Sequence, residues 1–120
     1  MARYVDGFVL PIATKNLGTY RKIAQLAGKV WLEHGALAYH ECAGDDLAQK
    51  FGTAFPRLAK TKPGETVVFA WIVFKSRAHR DRVNAKVMQD PRLSHDATPM
   101  QFDAKRMSYG GFTSIVDLEA

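Results

Sequence analysis

Apolar residues recur along this chain in two alternating periods, and the change from one period to the other marks out six segments. In residues 3–10, Tyr4, Asp6, Phe8 and Leu10 share one face of an extended segment and Val5, Gly7 and Val9 the other, because neighbouring side chains on a strand point to opposite sides. Pro11 follows, and its missing N–H predicts that the strand stops there. Leu17, Tyr20, Ile23, Ala24, Ala27, Val30, Trp31 and His34 then return at spacings of three and four, the repeat of an amphipathic helix. Thr14 or Asn16 is placed to cap its start, and Gly35 to close it in a left-handed conformation. Residues 36–44 go back to alternation, with Leu37, Tyr39, Glu41 and Ala43 opposite Ala38, His40 and Cys42, a second and less apolar strand.

The third strand is apolar on both sides. In residues 66–74, Val67, Phe69, Trp71 and Val73 line one face and Val68, Ala70, Ile72 and Phe74 the other, so neither face suits water. Pro63-Gly64 is the turn that leads into it. Residues 45–64 carry no clear period, and a connection that long predicts either a short helical turn around 46–51 or a segment folded over a pocket. Ser76 is a suitable N-cap for a second helix running to about Asp90, where Pro91 ends it; His79, Val83, Lys86, Val87 and Asp90 fall along one stripe. Residues 105–118 are strand-like again, interrupted by Gly110-Gly111, the mark of a bulge or a close backbone approach.

Strand, helix, strand, strand, helix, strand predicts one α+β domain over residues 1–120. The pattern is the ferredoxin-like βαββαβ fold, a four-stranded antiparallel sheet with two helices on one face. Two helices leave the other face bare. Since the third strand is apolar on that side too, the bare face is expected to pack against its copy in a homodimer, a dimeric α/β barrel. Covering a few hundred square ångströms at about 25 cal/mol per Å² supplies several kcal/mol.

Composition excludes more than it assigns. At 120 residues, with 47% hydrophobic and 24% charged, the chain can bury one real core and not two. No apolar run reaches the roughly 20 residues that cross a bilayer, and Asp6 interrupts what a signal peptide would keep apolar. A cytoplasmic protein with no membrane partner is expected. The single cysteine, Cys42, allows no internal disulfide, and His34, His40, His79 and His95 lack metal-ligand spacing, so neither metal nor cofactor is expected. A net charge of +5 raises nucleic acid as a partner, with Arg77, Arg80, Arg82 and Lys86 against phosphates. The basic stretches are not interleaved with stacking aromatics, which weighs against that reading.

Several longer motifs carry a resemblance. Tyr4-Val5-Asp6-Gly7-Phe8-Val9-Leu10-Pro11, Glu33-His34-Gly35-Ala36-Leu37, and the run from Lys62-Pro63-Gly64 to Phe69-Ala70-Trp71 are three of them. Lys75-Ser76-Arg77-Ala78-His79-Arg80-Asp81 and Lys105-Arg106-Met107-Ser108-Tyr109-Gly110-Gly111-Phe112 complete the set. Together they resemble, nearly end to end, the small bacterial domain-of-unknown-function family that includes YbaA. The resemblance implies a dimeric α/β-barrel fold and carries over no catalytic residue, since that family has no established activity. Related barrels include cofactor-independent monooxygenases, haem-degrading enzymes and isomerases, a breadth that prevents fold alone from assigning function.

Individual residues offer candidate chemistry. Asp6 sits mid-strand on a face that should be covered, so it either pairs with a cation such as Arg106 or Lys105 or acts as a general base in a cavity. His40 and Cys42 share a face, where a protonated imidazole would lower the thiol's pKa; a buried filler is the plainer role for the cysteine. Tyr4, Phe69, Trp71 and Tyr109, with Cys42, are candidates for a pocket wall, with core packing as the alternative for the aromatics. Arg77, His79 and Arg80 crowd the first turn of the second helix, against its dipole, and invite an anion. The expected function is a homodimer binding a small acidic or aromatic molecule in an apolar pocket. Its enzymatic form is a cofactor-independent oxygenase or isomerase using Asp6, His40 or His79. A non-catalytic nucleic-acid binder and a purely structural dimer are the competing readings.

Overall fold

The first strand runs further than its proline suggested. In the computed structural model, which describes residues 2–94 and 102–120, β1 spans Tyr4–Ala13 with Pro11 inside it. Its partner β4 (Ser108–Thr113) pairs with β1 only as far as Val9, opposite Ser108. On its other side β1 pairs with β3 (Glu65–Phe74) along its whole length, Pro11 lying opposite Val67. The Thr14 N–H reaches Gly64 O on the β3 side, so Pro11, three residues earlier, aims its nitrogen at the side where β4 has already ended. No ladder bond is lost, and the strand continues.

The sheet order is β2-β3-β1-β4, with β2 at Ala38–Ala43 and every neighbouring pair antiparallel. Helices α1 (Leu17–Glu33) and the one after β3 (Arg77–Met88) pack on one face, the ferredoxin-like α+β arrangement. That face buries Leu10 and Ile12 of β1 and Val68, Ala70, Ile72 and Phe74 of β3. The largest core cluster joins Ile72 and Phe74 to Val30 of α1 and to Val83 and Val87 of the later helix. Each such side chain contributes about 1.5–3 kcal/mol by leaving water. On the opposite face stand Val5, Gly7 and Val9, then Phe69, Trp71 and Val73, then His40 and Cys42, then Ser108, Gly110 and Phe112. None of these is an acid, a lysine or an arginine. Phe112 lies across the Gly7–Gly110 pair, where a Cβ on Gly7 would stand 3.3 Å from its ring.

Local signals decide where elements begin and end. Gly35 has φ +118°, and its N–H and that of Ala36 satisfy the last carbonyls of α1, those of Leu32 and Trp31. Asn16 occupies the N-cap position of α1 but its side chain makes no capping bond; a 3-10 turn at Thr14–Asn16 leads into the helix instead. The helical turn expected around 46–51 lies later. It is α2 (Phe55–Leu58), with Pro56 in its first turn where the missing N–H has no intrahelical role. Phe55 approaches Phe69 with 6.1 Å between ring centroids, so this connection covers the Pro11–Val67 end of the second face rather than a cavity. The helix at Arg77–Met88 is therefore α3. It stops before Asp90, whose carboxylate caps a 3-10 turn at Pro91–Leu93. The last strand is shorter than residues 105–118 suggested because β1 begins at Tyr4, opposite Thr113, and beyond it the backbone bonding ends with the Ser114 N–H donating to Arg3 O at 3.0 Å. Gly111 is a site of close approach: a Cβ there would lie 2.7 Å from Tyr4 Cε2.

Candidate functional site

Between α1 and the sheet the side chains do not fill the space. A cavity of about 140 Å³ is walled by Phe8, Leu10, Ala70 and Ile72 below, Tyr20 and Trp31 above, Tyr39 and Glu41 at the β2 side, and Phe102 and Met107. Outside it, a groove of about 770 Å³ runs between α1 and β2, with Leu17, Ala24, Leu32 and Val68 in its lining and Arg21 and Lys29 from the outer side of the helix. Tyr20, Tyr39 and Glu41 line both spaces, so these three side chains form the partition.

The partition follows from two short-range patterns. Tyr39 and Glu41 are two apart on β2 and so share the helix-facing side, opposite Ile72 and Ala70. On α1, Gly28 lets Tyr39 lie flat against the helix: a Cβ at Gly28 would stand 2.7 Å from Tyr39 Cδ1. A mid-helix glycine costs about 1 kcal/mol relative to alanine, so the close ring contact must offset it. Tyr20 O–H donates to Glu41 Oε1 and Tyr39 O–H to Oε2. Burial pushes both phenol pKa values well above their ordinary 10, and the hydrogen bond and negative charge of Glu41 push the same way. At neutral pH both tyrosines are donors. Among the described residues no arginine, lysine or histidine forms an ion pair with Glu41.

Asp6 is buried to 1% exposure, and its cation is neither Arg106 nor Lys105. Arg80 Nη1 donates to Asp6 Oδ1 at 2.7 Å and to the Tyr109 hydroxyl at 2.9 Å, while its guanidinium stands 5.0 Å above the Tyr4 ring. Asn84 Nδ2 reaches Asp6 Oδ2 at 3.4 Å and its Oδ1 accepts from Trp31 Nε1 at 3.0 Å. Burial works to lower the Arg80 pKa, and Asp6 with Asp81 outweighs it, so the guanidinium is held more firmly charged than usual. Arg80, a candidate for an external anion, is thus neutralised from within; Arg77 stays exposed. Arg106 instead grips Glu65 with both guanidinium nitrogens, at 2.8 and 2.7 Å, and holds Lys60 O at 2.8 Å.

The other candidates separate by face. His79 Nδ1 accepts the Lys75 N–H at 3.0 Å while the His79 N–H donates to Ser76 Oγ at 3.1 Å, a reciprocal cap on α3. Burial, then the charges of Lys75 and Arg82, lower the His79 pKa, so the ring is neutral at pH 7. His40 stacks on Trp71 at 4.8 Å, and with the exposed Cys42 and Phe69 it lies on the second face. Tyr4 and Tyr109 point the other way, around Arg80. The four aromatics expected to wall one pocket therefore stand on opposite sides of the sheet, as strand alternation requires. None of Asp6, His40 and His79 lines the cavity or the groove. The residues that do, Tyr20, Trp31, Tyr39 and Glu41, had one visible signal: an acid, Glu41, among apolar neighbours on the strand face that helices cover. Among the described residues no group of three or more His, Cys, Asp or Glu could hold a metal ion, and no helix is long and apolar enough to cross a membrane.

The family model described as a protein of unknown function (DUF1428) matches residues 3–104. The chain belongs to this family. It is 42% identical over 115 residues to the uncharacterised protein YbaA of Escherichia coli K12, covering 96% of this chain and 98% of that protein, and equally to YbaA of Shigella flexneri. Among solved structures it is similar to a dimeric ferredoxin-like protein from an uncultured marine organism, with a TM-score of 0.57 and 11% identity over the whole of both chains. That likeness is one of fold. The family is described as one of unknown function and YbaA as uncharacterised, so neither assigns the site a chemistry.

Proposed function

We propose that the protein is a homodimer that binds one small molecule per subunit between α1 and the sheet. The observation that carries this is the division of labour between the two sheet faces. One lies outside the layer of α1 and α3 and, across Val5, Val9, Phe69, Trp71, Val73 and Phe112, carries no acid, lysine or arginine, with α2 touching only its Pro11–Val67 end, while the other keeps a cavity with a carboxylate in its wall. An antiparallel sheet face left to water is ordinarily polar. Phe69 at 45% exposure and Phe112 at 61% are large apolar groups whose cover a second copy supplies through the same face. The dimeric state of the marine ferredoxin-like protein supports the same assembly. Such a dimer leaves the α1–β2 groove on the outside, free to admit a ligand.

The cavity alone is small for a ligand, since binding sites commonly enclose roughly 300–1,000 Å³. Inner cavity and outer groove together reach that range, with Tyr20, Tyr39 and Glu41 between them. The basic surface favours the nucleic-acid reading less, because Arg80 is spent on Asp6, Arg92 on Glu33 and Asp90, and Arg106 on Glu65. Two measurements test the proposal. Sedimentation at micromolar concentration is expected to give a dimer whose Cys42 reacts slowly with a thiol reagent; a monomer with a fast-reacting thiol would overturn the assembly. Fragment titration followed by NMR is expected to shift Tyr39, Glu41 and the Trp31 indole together, and a library that leaves all three unmoved would overturn the site.

A further inference from the structure

We infer that the ligand of this site is a small organic ammonium ion whose charged head enters the inner cavity and meets Glu41. The inference rests on the small-molecule reading above and names its chemical class. Phe8, Tyr20, Trp31, Tyr39 and Phe102 line the cavity around the one carboxylate, and among the described residues no cation is paired with that carboxylate. Its two partners are neutral phenols, which satisfy one lone pair on each oxygen and leave the negative charge uncompensated. The contrast with Asp6 is direct: that carboxylate has a guanidinium 2.7 Å away and lines neither the cavity nor the groove. A half-buried charge without a counter-charge is costly, and a bound cation removes the cost.

The walls suit the same ligand. An ammonium head is attracted to the faces of tryptophan, tyrosine and phenylalanine rings as well as to the carboxylate, and the combination excludes anions. A dry apolar cavity of roughly 150 Å³ holds a molecule the size of benzene, so about 140 Å³ accepts the head and first carbons of an amine and no more. A longer remainder would have to part the Tyr20–Glu41–Tyr39 contacts to reach the groove, where Leu17, Ala24 and Leu32 offer apolar cover. Arg21 and Lys29 stand at the exposed outer side of α1, where solvent and salt screen them from the cavity; they favour a tail that ends neutral or acidic.

The test is an NMR titration of the intact protein with butylammonium, benzylammonium, 1-butanol and butyrate. Butylammonium and benzylammonium are expected to shift Glu41, Tyr39 and the Trp31 indole N–H, binding at least about tenfold more tightly than 1-butanol, with butyrate silent. Glu41→Gln keeps the acceptor shape without the charge and is expected to remove that preference while 1-butanol binds as before; Tyr20→Phe, which keeps the charge, is expected to retain it. Equal binding of 1-butanol and butylammonium, or tighter binding of butyrate, would overturn the ammonium assignment and leave the small-molecule site standing. No shift at these residues with any of the four would remove the site itself.

Discussion

On the helix-covered face of the sheet, Asp6 and Glu41 sit among apolar side chains, each gripped by named partners. The middle of the opposite face, from Val5 and Val9 through Phe69, Trp71 and Val73 to Phe112, carries no acid and no long cation, Glu65 standing only at its far end opposite Ala13. The difference shows what kind of neighbour each face is built for. A carboxylate can be buried only where a second element supplies donors, and α1 and α3 supply them: Arg80 and Asn84 to Asp6, Tyr20 to Glu41. In the proposed homodimer the opposite face would meet its own copy across a two-fold axis, where like charges would come together, so it is best left uncharged. Within the covered face a second contrast matters as much. Asp6 has a full counter-charge and is structural, whereas Glu41 has neutral partners and an opening beside it.

The largest expected effect comes from breaking the paired carboxylate. Asp6→Ala strands Arg80, whose side chain is only 13% exposed, and is expected to cost about 3 kcal/mol in urea unfolding. The cost should shrink when Arg80→Met is added, because the orphaned charge is then gone; equal losses in single and double variants would sink the pairing argument. On the uncharged face, Phe69→Glu is expected to weaken self-association by roughly 100-fold, about 2.7 kcal/mol, with the circular dichroism of the fold retained and Cys42 newly reactive. A variant that sediments as the wild type does would place the subunit contact elsewhere.

A smaller effect probes the partition. Gly28→Ala gains about 1 kcal/mol of helix propensity but drives a methyl into Tyr39, and the net expectation is a loss of about 1–2 kcal/mol together with a shifted Trp31 indole resonance. A stabilised protein with unchanged resonances would mean that the ring is not wedged there. The smallest effect lies at the half-buried tether between Arg106 and Glu65. The Arg106 guanidinium, then the Lys62 N–H, hold Glu65 down at about 2 from an ordinary 4.5. A lowered carboxylate pKa contributes stability above pH 4.5 and loses it as the pH falls toward 2. The Tm difference between wild type and Arg106→Gln should therefore be largest near neutrality and fade over that window; a constant difference would assign Arg106 another role.

Much of the architecture was written in one-dimensional patterns. The alternation in residues 66–74 placed Phe69 with Trp71 and Val68 with Ile72, and the 3.6-residue repeat placed Val30 with Trp31's helix and Val83 with Val87, because each rule depends only on backbone geometry. Pro11 was misread as a strand end because its tolerance depends on where β4 stops, which lies nearly a hundred residues away in sequence. The helical turn moved from 46–51 to Phe55–Leu58 because its apolar residues answer to Phe69 and not to a local period. Which side chains meet in space was hidden in the same way. Asp6 was recognised as a buried acid, yet no spacing rule could choose Arg80 over Arg106, and Tyr4 with Tyr109 could not be divided from Phe69 with Trp71 until strand registers were known.

The sequence by itself determined the order of elements, the greasiness of both sheet faces and the family to which the chain belongs, since these depend on neighbours within a few residues or on whole-chain likeness. Only the tertiary structure decided that Asp6 would be neutralised by α3 while Glu41 would be left with two phenols beside a cavity. The reason is physical: the state of a buried charge is set by groups brought within a few ångströms by folding, and those groups lie tens of residues apart along the chain.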